Sequence, residues 1–538
     1  MLPGRSWFFP FAAAAIIVVA VTWFVSQPVR SPQNQAAAPS TAEMAATVTK
    51  LDAHFALHWK EAEFEPAAKA DDLVLLRRVS LALVGTVPSL EEIREFTADS
   101  APDRLQRWTA RFIADRRFVD YFGFSLAGAF IDLKNDDLEI APRLRFVAWI
   151  GEGIQRGVPW NEMARQIIAS RGALADEPGA TMVAAEFDAG KSEAAERLAA
   201  RTSRALLGQR IDCAQCHDHP FADWTQGQFE GLAAYFSQAS YRNAVIQDDQ
   251  RTSLVIDDTR NNVKRTVQPA VPFEPAWVPA DGLLREQLAA WLAHPDNRRF
   301  RRAIANRLWG ALFGRPLVEP VDDLSDPPSL EEPDALDFLA DELAAHGHDL
   351  RRLIHVIVAS RPFQLESSHP GLADVVLTPK LEKSHAVFPV TELDAHQLIR
   401  SMQQATAIGT ILPERENTYV QLRRVESRYR FARDYEHEFS DGEEAADTVP
   451  QATRRLSGYV IRGLSRSSFW GATGRIAAFS SAEVGIDQAF IACLSRHPTQ
   501  DEATYFLSQS GKNMNQRSRA LQDVYWTLFN SAEFCWNH

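Results

Sequence analysis

In the stretch DDLVLLRRVSLALVGTVPSLEEIREF, apolar residues fall at Leu73, Leu76, Val79 and Leu83, the spacing of one face of an α-helix. Gly85 breaks that run, and Ser89 with Glu92 forms a capping box that starts the next helix. The same punctuation recurs as Ser329 with Glu332 before ALDFLADEL and as Thr499 with Glu502 before ATYFL, each pair following a proline. Helical periodicity begins near Lys50, resumes at Leu283 and runs to about Glu366. One stretch reads differently. In TSLVIDDTRNNVKRTVQPAVPF, Thr252 to Phe273, short apolar runs flank an Asp/Asn-rich turn and prolines follow, which predicts a hairpin and then an extended linker. The pattern therefore predicts a mainly α chain. A first helical domain covers 49–243, a hairpin and linker 244–280, and a second helical domain 281–538.

The N-terminus has its own pattern. WFFPFAAAAIIVVAVTWFV, Trp7 to Val25, carries no charge and is long enough to cross a bilayer as a helix, with Trp7 and Trp23 near its two ends. Small residues suited to signal cleavage come only at Ala37, well downstream, so residues 1–26 are expected to stay on as a signal anchor. Residues 27–48, rich in Pro, Gln, Ser and Ala, read as a flexible tether. The expected location is the inner membrane, single-pass, with the body facing the periplasm; this orientation is a default, since Arg5 and Arg30 flank the span evenly. DYEHEFSDGEEAADTVP, Asp434 to Pro450, is acidic and aperiodic and reads as a solvated loop.

Composition narrows the classes. The 538 residues are 46% hydrophobic and 24% charged, as in ordinary folded proteins. A net charge of −13 argues against a nucleic-acid partner, which calls for a basic face. Four cysteines in so long a chain exclude a disulfide-scaffolded fold, and pairing of the isolated Cys493 and Cys535 is left open.

The other two cysteines lie together in IDCAQCHDHPFADW, residues 211–224. C-x-x-C-H is the pattern of c-type haem attachment. Cys213 and Cys216 each add to a vinyl group on one porphyrin edge, and His217, next in line, becomes the axial iron ligand. A second reading gives Cys213, Cys216, His217 and His219 to a transition metal such as zinc, although no second C-x-x-C supplies the usual other ligand pair. A third leaves the thiols structural. On the haem reading His219 cannot reach the opposite face of the macrocycle, and is expected to face PFADW and bond Asp218 or Asp223. Met163 and Met182 are candidates for the sixth ligand.

Other clusters are weaker. Asp322 and Asp323 offer a carboxylate pair, but a loop clamp with Arg307 as ion-pair partner is the preferred reading. His346, His348 and His355 surround one helix start and suggest a three-histidine metal site. No nucleophile elbow, Walker loop or dinucleotide fingerprint occurs, and no catalytic residue is assigned.

RTSRALLGQRIDCAQCHDHPFADWTQGQFEGLAAYF, with LLRRVSLALVGTVPSLEEIREF upstream, resembles the hallmark segments of domain of unknown function 1549. ANRLWGALFGRPLVEPVDDLSDPPS, LDFLADELAAHGHDLRRLIHVIVASRPFQ, LDAHQLIRSM and LQDVYWTLFNSAEFCWNH resemble its usual companion, domain 1553. The pair is abundant in planctomycetes and is often joined to cytochrome c domains, so the resemblance implies a planctomycete-type, cytochrome-c-associated protein. Asp326 stands where that family usually has Asn, and residues 410–480 match loosely. Taken together, the expected function is a membrane-anchored extracytoplasmic protein that carries one haem c and passes electrons to a redox partner protein. The alternative is a non-enzymatic helical binding or assembly protein whose motif holds a metal or is structural.

Overall fold

A computed structural model describes residues 41–133, 140–188, 193–250, 253–258, 263–324, 326–327, 334–373, 377–407, 409–415, 420, 424, 426–428, 431, 459–465, 472–511 and 513–538. The expected anchor Trp7–Val25, the acidic loop Asp434–Pro450 and the hairpin turn at 259–262 lie outside them. Among the described residues no helix is long and apolar enough to cross a membrane.

The protein is mainly helical with a few short strands. Its described residues divide into two compact units, and neither is one continuous stretch of sequence. The first takes Gly123–Leu308 and Pro316–Leu353; the second takes Ser40–Phe122, Trp309–Arg315 and Ile354–His538.

In the first unit, the Ile140–Arg156, Trp160–Ala169, Ala194–Thr202, Gln226–Ala234 and Leu284–Leu292 helices turn their apolar faces inward. Phe146, Ile154, Trp160, Ile167, Leu198, Leu232 and Trp291 are almost wholly buried there. The expected hairpin is present in this unit, pairing Leu254–Asp258 with Val263–Val267 in antiparallel register. A second, unexpected sheet orders Gly172–Ala173, Val245–Asp248 and Ala239–Arg242, all antiparallel. Arg242 pairs directly with Val245 across Asn243 and Ala244, whose φ of 53° and 59° make a type I′ turn. Ala244 hid that turn from the sequence, because the usual signal places glycine there.

The second unit is built around a core that joins Leu81 and Val87 to Leu398, Met402, Phe490, Val524, Tyr525 and Phe529. Its Asp72–Val84 helix ends at Gly85 with φ +67°, and the Leu90–Ala98 helix starts on the Ser89–Glu92 capping box, as the pattern predicted. The Gln500–Gln509 helix likewise starts on Thr499 and Glu502. Two expectations are corrected. The first helix begins at Thr41, so residues 41–48 are helical and not tether. The Ala335–Ala345 helix of the first unit is capped by Asp334 with Asp337, which sit directly at its first turn; Ser329 and Glu332 lie outside the described residues.

Candidate functional site

The C-x-x-C-H segment sits in the first unit, on a loop anchored at both ends. The Ala194–Thr202 helix widens into a π-turn, Ser203–Leu207, and stops at Gly208, whose left-handed φ of 64° lets its N–H donate to the Ser203 carbonyl. From there the chain is clamped to residues 322–324. Leu324 N–H donates to the Gly208 carbonyl at 2.7 Å, and the Gln209 amide donates to the Leu324 carbonyl at 2.5 Å. Arg210 Nη2 lies 2.9 Å from Asp322 Oδ1, and the Arg210 backbone N–H donates to Asp323 Oδ1. Asp322 raises the Arg210 guanidinium above its ordinary pKa by this hydrogen bond.

The carboxylate pair is thus a loop clamp, as preferred, but its cation is Arg210 and not Arg307. Arg307 is nearly buried and donates through Nη2 to the Arg204 carbonyl at 3.2 Å. Burial lowers its pKa, with the charge of Asp322 acting in the opposite direction. Neighbouring Asn306 makes the stronger loop contact, exchanging two hydrogen bonds with the Val318 backbone at 2.7 and 2.9 Å. Trp309, two residues beyond Arg307 on the same helix, belongs to the second unit and donates to His385 Nε2.

The motif opens with buried Ile211 and closes its first turn on buried Ala214, which fix a 3-10 turn at Asp212–Gln215. Cys213 lies within this turn and Cys216 follows it directly as its C-cap. Both thiols are free and exposed. His217 is exposed too, and its Nδ1 lies 2.7 Å from the Asp218 carbonyl oxygen. A carbonyl only accepts, so Nδ1 carries a proton, and in the tautomer this bond favours Nε2 is the nitrogen left to accept.

The far end is equally fixed. Asp218 Oδ1 accepts from Gln226 N at 2.8 Å, and a Thr225–Gln228 capping box starts the Gln226–Ala234 helix. His219 faces PFADW as expected, with its N–H on the Trp224 carbonyl at 2.7 Å. Its ring bond is different from the expected one: Nδ1 accepts from Phe221 N at 3.2 Å, because the Asp218 carboxylate is already committed to the helix start. Phe221 itself is 94% exposed, an apolar ring beside the motif that meets the His219 ring edge-on at 6.5 Å.

Two further candidates change. Met163 and Met182 are core residues, 1% and 0% exposed, so neither reaches an exposed iron without repacking the unit. His346 bonds the Glu342 carbonyl, His348 is half-buried with its pKa lowered to about 4 by desolvation and then by Arg301 and Arg165, and His355 bonds Gln106. Among the described residues no group of three or more His, Cys, Asp or Glu side chains is arranged to hold a metal ion.

Fold and loop define a mainly helical protein that presents an exposed C-x-x-C-H turn on a braced frame. Residues 50–241 match the family "Protein of unknown function (DUF1549)" and residues 284–509 match "Protein of unknown function (DUF1553)". The chain belongs to the proteins that carry these two domains in this order. No curated protein and no solved structure matches it.

Proposed function

We propose that this protein is a membrane-anchored, extracytoplasmic electron carrier with one c-type haem on Cys213 and Cys216, ligated by His217. The observation that carries the reading is the state of these three side chains. One free, exposed thiol lies within a 3-10 turn and the other caps it, and the next residue is an exposed imidazole whose Nδ1 proton is held by a backbone carbonyl. A metal-ligating histidine characteristically has its second nitrogen held in this way, which fixes the tautomer and leaves Nε2 to accept. Bound here, a haem supplies one-electron chemistry at a potential set by its axial ligands and its exposure. The clamped loop holds the thiols and imidazole in place, and exposed Phe221 offers an apolar surface beside them. The apolar run Trp7–Val25 supports an anchor in the inner membrane with the body in the periplasm, where haem is attached and where a redox partner protein would be met.

The test is the absorbance spectrum of the protein made in a host that attaches haem c. A Soret band is expected. His217→Ala should abolish normal axial ligation, whereas His219→Ala should leave the iron spectrum nearly intact, because that ring is turned to Phe221 N. Absence of a Soret band sinks the haem reading. Equal loss from both histidine variants favours the metal reading, in which both are ligands.

A further inference from the structure

The second unit holds a small cleft, partly open to solvent, that the haem reading does not use. Arg117, Arg400 and Arg428 line it together with Asp120, Thr86 and Gln404. Most of these groups are already committed. Asp120 pairs with Arg116 at 3.1 Å, Gln404 holds the Gly409 carbonyl and Ile411 N, and Arg428 Nε donates to Gln403.

Two guanidiniums retain unused donors. Arg117 is 5% exposed and bonds Asp115 and Glu92 through Nε and Nη2, yet its Nη1 is buried with no partner among the described residues. Arg400 makes no hydrogen bond or ion pair among the described residues; it rests on the Tyr121 ring at 5.7 Å, and its Nε is buried without a partner. Burial lowers the Arg400 pKa; Asp120, Tyr121 and Asp394 oppose that shift, and the positive charge of Arg117 adds to it. Arg400 has no ion-pair partner among the described residues, which is costly for a desolvated cation, and the positive charge of Arg117, itself paired with Glu92 and Asp115, adds to that cost. A buried donor left unpaired in a native protein calls for a bound ion or water.

We propose that this cleft binds a small oxyanion, a phosphate or carboxylate group, between Arg117 Nη1 and the Arg400 guanidinium. Guanidiniums suit this chemistry because their planar N–H pairs match two oxygens at once. The site is independent of the C-x-x-C-H loop, which lies in the other unit.

Calorimetric titration of the full chain tests it, with sodium phosphate and sodium acetate as separate arms at constant ionic strength. Saturable binding at one site per chain is expected, and the arm that binds tells a phosphoryl from a carboxylate ligand. Arg400→Leu should weaken binding at least tenfold, and Arg400→Lys less, since lysine keeps the charge but not the fork. In anion-free buffer Arg400→Leu should melt no lower than the wild type, because it removes a partly buried charge that makes no ion pair among the described residues. No saturable heat in either arm overturns the proposal, as does undiminished binding by Arg400→Leu. If the leucine variant does not fold, a wild-type crystal soaked in selenate decides: an anomalous peak between the two guanidiniums supports the site, and its absence overturns it.

Discussion

Gly208 is the residue on which the motif loop turns. Its φ of +64° ends the π-turn, and a Cβ built there would lie 3.0 Å from Leu324 Cδ1. Left-handed backbone costs a non-glycine residue about 1–2 kcal/mol, before any cost of displacing Leu324. Gly208→Ala is therefore expected to lower stability by roughly that amount, read as a fall in the denaturation midpoint. A variant as stable as the wild type would show that the loop is not held as described. The residue scale was also the hardest to read from sequence. C-x-x-C-H announces itself because its chemistry demands fixed spacing. Arg210 and the donors of Arg117 and Arg400 left without partners among the described residues carry no such signature. They matter through contacts with residues far along the chain, so Arg307, adjacent to Asn306, drew the ion pair that Arg210 makes.

At the scale of elements, local rules were legible and non-local ones were not. Helix starts at Ser89 and Thr499 follow from side chains within three residues of the cap, so the sequence displays them. The Ala239–Arg242 and Val245–Asp248 strands have only four residues each and too little alternation to stand out. The Thr499 cap also carries a pH-sensitive contact. Arg496 bonds Glu502 at 2.9 and 3.0 Å and also reaches Glu533, and its hydrogen bonds lower the Glu502 pKa from 4.5 to about 2. A depressed folded-state pKa gives stability that is present above the unfolded value and lost as pH falls through the folded one. The contribution should therefore be full above about pH 5 and disappear between about pH 4.5 and pH 2. Glu502→Gln keeps a capping side chain but removes the charge. The stability gap between wild type and variant, followed by denaturation across that window, should shrink as the solution is acidified. A gap independent of pH would assign the effect to capping alone. Half-exposed ion pairs are weak, so the gap should be small at high salt.

For the whole molecule, the chain folds back so that its early helices complete a core made mostly by its last third. Within the second unit, Arg77 is fully buried and donates to the Cys493 carbonyl at 2.7 Å and the Phe534 carbonyl at 3.3 Å. Arg78 reaches the Phe363 and Leu365 carbonyls at 2.9 and 2.6 Å while stacking on Phe388. Trp59 donates to the Ser384 carbonyl, and Ala67 N–H to the Ala386 carbonyl. Periodicity cannot show this, because it tells which face of a helix is buried but not against what. The consequence is physical. A fragment of residues 281–538 lacks Leu81 and Val87 from its core and leaves those buried carbonyls without donors, each at a cost of about 1–3 kcal/mol. Domains are marginally stable, so several such losses exceed what a unit of this kind can spare. The fragment alone is expected to show no cooperative thermal transition by circular dichroism. Co-expressed with residues 40–280, it should be recovered as a stoichiometric complex on size-exclusion chromatography, held by the same contacts without the connecting chain. Arg77→Ala in the first fragment should weaken that recovery. A cooperative melt from residues 281–538 alone would show that the C-terminal half is complete without the early helices, and that the interleaved core is not what holds it together.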